Sequence, residues 1–115
     1  MSLGLDDKIA LVTGSSKGLG RAIAIRLAEK GVRVAVNYNT SPGSAGEVVK
    51  AIKDAGGSAI SVQADVANLD QVVAMVKQVE EELGAVEILV NNAGIINDQL
   101  LMRMSDEAWR QVIDI

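Results

Sequence analysis

The sequence predicts an α/β fold, a doubly wound parallel sheet of about four strands in the order 3-2-1-4 with helices on its faces. Three observations carry this reading. Short aliphatic runs alternate with longer segments of helical periodicity along the whole chain. The hydrophobic fraction is 49% while aromatics make up only 2%, so the core is built from Val, Ile, Leu and Ala, as buried parallel strands require. Glycine-rich turns follow the first aliphatic run and close the helical segments. With 115 residues, the chain has room for one small domain, 1–115, and not for two.

Ile9-Ala10-Leu11-Val12 reads as a buried first strand running into a glycine-rich turn. Leu19, Ile23 and Leu27, with Ala22, Ala24 and Ala28 among them, mark a helix that stops at Gly31, where a left-handed cap is expected. Val32 to Val36 is the second strand. Ala45, Val48, Val49 and Ile52 form one face of a second helix, closed by Gly56-Gly57. Ala59 to Ala64 is the third strand. Leu69, Val72, Val73, Val76, Val79 and Leu83 keep the helical period, and Asn68 followed three residues later by Gln71 has the form of a capping box. Val86 to Val90 is the fourth strand, and Ser105 is placed to cap a last helix carrying Trp109, Val112 and Ile113. Strand, helix, strand in repetition implies right-handed crossovers and a parallel sheet, with ligands in the crevice where the winding reverses.

Composition removes several kinds of function. Without cysteine there are neither disulfides nor thiolate metal sites, and without histidine the commonest metal ligand and general base are missing. A net charge of -4 with one Trp, one Tyr and no Phe offers neither a basic stripe nor a stacking platform, so nucleic acid is not an expected partner. The apolar runs are far too short for a membrane span. No charged-then-apolar signal segment opens the chain, which points to the cytoplasm; Asn39-Thr40-Ser41, a glycosylation sequon by pattern, then reads as a polar loop.

The chemistry is concentrated in Thr13-Gly14-Ser15-Ser16-Lys17-Gly18-Leu19-Gly20, between the first strand and the first helix. Gly14 lets the chain leave the strand in a tight turn, Gly18 admits a phosphate close to the backbone, and Gly20 lets the helix pack tightly on the sheet. Free amides at the positive end of a helix favour an anion. A glycine-rich turn alone is a weak signal, but a strand before and a helix after it make this one a phosphate loop. At the end of the second strand stands Asn37, not a carboxylate. A carboxylate there would bond the ribose hydroxyl of NAD and repel the 2′-phosphate of NADP. Its absence, with the Lys17 cation in the loop, favours NADP(H).

The spacing Gly-x-x-x-Gly-x-Gly after a threonine resembles the cofactor loop of the short-chain dehydrogenase/reductase family. Two further stretches are similar to that family: Asp65-Val66 after the third strand and Asn91-Asn92-Ala93-Gly94 after the fourth. The resemblance implies a Rossmann-type fold, adenine bonded at Asp65 and Val66, and a cofactor cleft lined by Asn92, Ala93 and Gly94. Within the family, Gly94 to Met104 followed by Trp109 is similar to the reductases of 3-oxoacyl groups held on acyl carrier protein, with Ile96-Asn97-Asp98 where those often have Thr-Arg-Asp. That branch would reduce the 3-keto group with NADPH in fatty acid biosynthesis; a reductase of another ketone or alcohol is the alternative within the family. The family transfers hydride with a serine, a tyrosine, a lysine four residues after it and an asparagine. The single tyrosine here, Tyr38, is followed four residues on by Pro42, so no catalytic residue is assigned. The expectation is therefore a nucleotide-binding half without its catalytic half, inactive alone. A non-catalytic nucleotide-binding or self-associating fragment stays open beside it. A homo-oligomer is also expected, a dimer in which each copy shields the other's incomplete side, either by pairing at an exposed edge of the fourth strand or by helices that cover the gap beside Trp109, Val112 and Ile113.

Overall fold

The computed structural model describes residues 6–93 and 111–114. The elements within these residues are β1 (Ile9–Val12), α1 (Gly18–Glu29), β2 (Arg33–Tyr38), α2 (Pro42–Asp54), β3 (Ala59–Gln63), α3 (Leu69–Glu82), β4 (Ile88–Asn91) and β5 (Gln111–Asp114). The sheet order is β3-β2-β1-β4-β5, and every pairing is parallel. The expected order 3-2-1-4 is present within it.

Strand alternation divides the core in two. Ala10 and Val12 of β1 join Val34 and Val36 of β2 under α1 and α2, with Ala24, Ala45, Val48 and Ile52 from the helices. Ile9, Leu11, Ala35, Val62 and Leu89 face the other way, against Val72, Met75, Val76 and Val79 of α3. Both faces of the sheet are therefore covered, which is why its strands carry aliphatic residues without an apolar–polar alternation. The return from β3 through α3 to β4, on the far side of β1, reverses the winding. The carboxyl ends of β1 and β4 lie side by side there, in the register Leu11 with Leu89 and Val12 with Val90.

Helix ends follow the sequence closely. After α1, Gly31 has φ +88°, donates to Ala28 O at 3.0 Å, and is followed by Val32 donating to Leu27 O at 3.2 Å. This is the paired closure of a Schellman motif, and it needs a left-handed residue at that position. At the start of α3, the Asn68 side chain accepts from the Gln71 amide at 3.1 Å. Only this half of the capping box forms: the Gln71 side chain accepts from the Asp65 amide at 2.9 Å, while the Asn68 amide donates to Asp65 O. Replacing Asn68 with alanine should cost about 1 kcal/mol and lower Tm by several degrees in a thermal melt. An unchanged Tm would mean that the cap contributes nothing.

Two expectations need correction. Val112 and Ile113 stand in β5, paired with Leu89 and Val90, and not on a helix; Ser105 and Trp109 lie outside the described residues. β4 is consequently paired on both sides, and β5, not β4, stands at that edge of the sheet. Two adjacent apolar residues fit a strand as well as a helix, and here pairing with β4 decides.

Candidate functional site

Because the sheet is parallel, Thr13, Asn37, Ala64 and Asn91 all come to the same edge, and the segments after them meet there. Thr13 is the hub. It is buried, and its Oγ1 accepts from the amides of Asn92 at 3.0 Å and Ala93 at 3.3 Å. The one hydroxyl proton has two acceptors in reach, Asn91 Oδ1 at 3.2 Å and Val90 O at 3.3 Å. The Asn92 side chain donates to Gly14 O at 3.2 Å. The turn after β1 and the turn after β4 are thus one hydrogen-bonded unit.

The loop residues divide by exposure. Ser15 is fully buried: its hydroxyl donates to Val12 O at 2.6 Å and accepts from the Asn37 amide at 2.9 Å. Gly14 donates to Asn37 Oδ1 at 2.9 Å and Ser15 to Asn37 O at 3.0 Å, so both amides are spent inside the protein. Ser16 is half-buried, while Lys17, Gly18 and Leu19 face outward, Leu19 with 58% of its surface exposed. Gly14 and Gly18 hold φ of +59° and +57°. Gly20 is pressed against the turn: a Cβ there would fall 2.6 Å from Asn92 Nδ2, 2.9 Å from Ser15 Cα and closer still to Gly14 O.

What remains at the loop is the uncapped start of α1. Lys17 stands at the N-cap of α1 but gives no side-chain cap, and the first turn carries no acid. The amides of Gly18, Leu19 and Gly20 are left without intrahelical acceptors. Lys17 and Arg21 are exposed, and among the described residues neither is in an ion pair. Two cations at the positive end of a helix are unfavourable unless a negative charge joins them. α3 is the contrast, with Asn68 as its cap and Asp70 in its first turn.

At β3, Asp65 and Val66 are half-buried beside this loop's β2 support. Asp65 Oδ1 accepts from the Ala67 amide at 3.0 Å, an Asx turn that orients the carboxylate. Asn92 is half-buried and Ala93 exposed; Gly94 lies outside the described residues. Asn37, expected to face the cofactor, is instead 2% exposed with its carboxamide turned inward. The chain leaves β2 through Tyr38, half-buried, and Asn39, exposed, and neither carries a carboxylate. The absence of repulsion toward a 2′-phosphate therefore holds at these positions as well.

A family model for short chain dehydrogenases matches residues 8–115, from the residue before β1 through Ile115. The chain belongs to that family. The chain is 52% identical over 107 residues to the 3-oxoacyl-[acyl-carrier-protein] reductase FabG of Staphylococcus aureus strain Mu50, an alignment covering 93% of this chain and 44% of the relative. It is 48% identical over 111 residues to the 3-oxoacyl-[acyl-carrier-protein] reductase of Synechocystis sp. strain PCC 6803, covering 96% and 45%. A short chain dehydrogenase from Burkholderia cenocepacia J2315, solved in complex with NADP, superimposes with a TM-score of 0.75 at 48% identity, covering 81% of this chain and 38% of that one. The chain thus spans less than half the length of these family members.

Two residues of the site are not conspicuous in the sequence. Thr13 reads as the threonine that opens the glycine loop, and nothing in the sequence tells that its hydroxyl joins that loop to the turn after β4. Gln71 reads as part of a helix cap but holds the Asp65 amide. A depression of about 940 Å³ at the opposite end of the strands, bordered by Asp7, Lys30, Arg33 and Ser58, carries none of these features, and Arg33 Nε is already 3.7 Å from Asp7 Oδ1. Among the described residues there is no cluster of three metal-ligating acids and no helix long and apolar enough to cross a membrane.

Proposed function

We propose that this chain supplies the NADP(H)-holding half of a cytoplasmic reductase that delivers hydride to the 3-keto group of an acyl chain carried on acyl carrier protein. The observation that carries the nucleotide reading is the uncapped start of α1, where among the described residues the first amides have no acceptor and Lys17 and Arg21 no ion pair, and where Gly20 has no side chain. A pyrophosphate is the anion that fits the amides, since it accepts from several at once, and the 2′-phosphate that NADP has and NAD lacks would be the partner of Lys17. The amides from Ser16 to Gly20 would hold the pyrophosphate, and Asp65 and Val66 would border the adenine. Asn92 and Ala93 would line the crevice toward the reacting end. When bound, NADPH supplies the hydride. The substrate reading is supported by the names of the Staphylococcus and Synechocystis relatives, and the cofactor by the NADP held in the Burkholderia structure.

Calorimetric titration tests it. NADP should bind more tightly than NAD, and Lys17→Glu should weaken NADP about tenfold or more, the size of one charge-assisted contact, while changing NAD less. Equal affinities for the two nucleotides, or a Lys17→Glu variant indistinguishable from wild type, would count against the assignment of NADP.

A further inference from the structure

We propose that Asn37 is a positioning residue for the nucleotide site, a carboxamide clamp that fixes the distance and angle between the phosphate loop and the adenine edge. The inference rests on the nucleotide reading above and goes beyond it by assigning a role to a residue that no bound molecule would touch. Asn37 is 2% exposed, yet every polar atom it has is engaged. On one side, Oδ1 accepts from the Gly14 amide at 2.9 Å, and its backbone carbonyl accepts from the Ser15 amide at 3.0 Å. On the other, Nδ2 lies 3.2 Å from Ala64 O, 3.3 Å from Tyr38 O and 3.5 Å from Val62 O, with Met75 Sδ at 3.4 Å. Ala64 is the residue before Asp65. One side chain therefore joins the first residue of the phosphate loop to the last residue before the adenine segment.

Two consequences follow from the chemistry of the carboxamide. It offers an acceptor at one end and two donors at the other, and this polarity matches an amide on the loop side and carbonyls on the β3 side. Asp keeps the acceptor but sets a charged oxygen against those carbonyls. Ser is too short to reach both sides, and Leu reaches but bonds neither. By occupying the Gly14 and Ser15 amides, Asn37 also moves the anion site forward along the loop, so that phosphate meets the amides from Ser16 to Gly20 beside Lys17. Without the clamp, Gly14, at φ +59°, would be free to turn its amide outward.

The test compares wild type, Asn37→Ser and Asn37→Asp by calorimetry with two probes, NADP and adenosine 2′,5′-bisphosphate, alongside thermal melts and amide hydrogen exchange at Gly14. The second probe keeps the adenine end and lacks the pyrophosphate bridge. Asn37→Ser should weaken NADP about tenfold, the size of a lost hydrogen bond to a buried partner, and the bisphosphate by no more than about threefold. Gly14 should exchange faster in Asn37→Ser and remain protected in Asn37→Asp, which keeps the acceptor. A purely structural residue would lower Tm and weaken both probes equally, and that result overturns the proposal. So does wild-type affinity for NADP in both variants. If the wild type itself binds neither probe, the nucleotide reading fails and takes the clamp's role with it; faster exchange at Gly14 without any binding would identify that case. Should Asn37→Asp not fold, Asn37→Ser alone decides.

Discussion

Gly20→Ala is expected to abolish detectable NADP binding and to destabilise the protein more than any other single methyl group added to this loop. The new Cβ would stand 2.6 Å from Asn92 Nδ2 and 2.9 Å from Ser15 Cα, and nearer to Gly14 O. Two of these three atoms are backbone, in residues whose amides are fixed by Asn37, so relief can come only from α1 moving off the sheet. Overpacking of this kind costs about 1–3 kcal/mol, occasionally more, and the backbone character of the neighbours puts Gly20 at the upper end. Denaturant titration should show a lower midpoint at unchanged slope, and calorimetry with NADP should show no heat of binding. Wild-type midpoint and affinity in Gly20→Ala would refute the packing described for the helix start. Gly18→Ala is the comparison, since a Cβ there meets nothing within 4 Å and its cost arises only from φ +57°.

Thr13→Val should have the second largest effect. The two side chains have nearly the same shape, so little changes in packing around a residue that is 1% exposed. What disappears is the oxygen that accepts from the Asn92 and Ala93 amides and donates toward Asn91 Oδ1 and Val90 O. The exposed Ala93 amide can turn to water, but the Asn92 amide is half-buried and left unpaired. An unsatisfied buried group costs about 1–3 kcal/mol, and the loss should reach the upper part of that range. Thr13→Ser restores the hydroxyl and should recover most of it. Equal melting temperatures for Thr13→Val and wild type would show that the two turns are held together by other contacts.

Most of the fold is legible in the residues themselves. Val, Ile and Leu runs placed β1 to β4 within a residue or two of their observed limits, and Gly31 and Gly56-Gly57 stop helices where a left-handed residue is needed. The glycine-rich turn from β1 into α1 was legible for the same reason: strand, glycines and helix follow one another without interruption. Asn37 was not. A strand buried on both faces has no apolar–polar alternation, so nothing local says whether its terminal polar residue faces ligand or core. Its partners, Gly14 and Ala64, are distant in sequence, and only the pairing of β2 with both β1 and β3 brings them to it. Gln71 escaped because a capping glutamine and one that reaches further back differ only in rotamer. β5 escaped because an apolar pair such as Val112-Ile113 acquires its conformation from its neighbour, here β4.

The hydroxyl of Thr13 joins residues separated by 77 to 80 positions, and this bears on the order in which the protein assembles. β1, α1 and β2 can pair early, because the loops that join them are short. The turn of Asn92 and Ala93 reaches Thr13 across a crossover that contains β3 and α3. Closing so long a loop carries an entropic cost that contacts nearer in sequence avoid. The turn after β1 rests on local contacts, while the crevice between it and the turn after β4 depends on this long closure. On the nucleotide reading proposed above, a ligand that touches both turns binds only the chain in which they are joined and draws it toward that state by mass action.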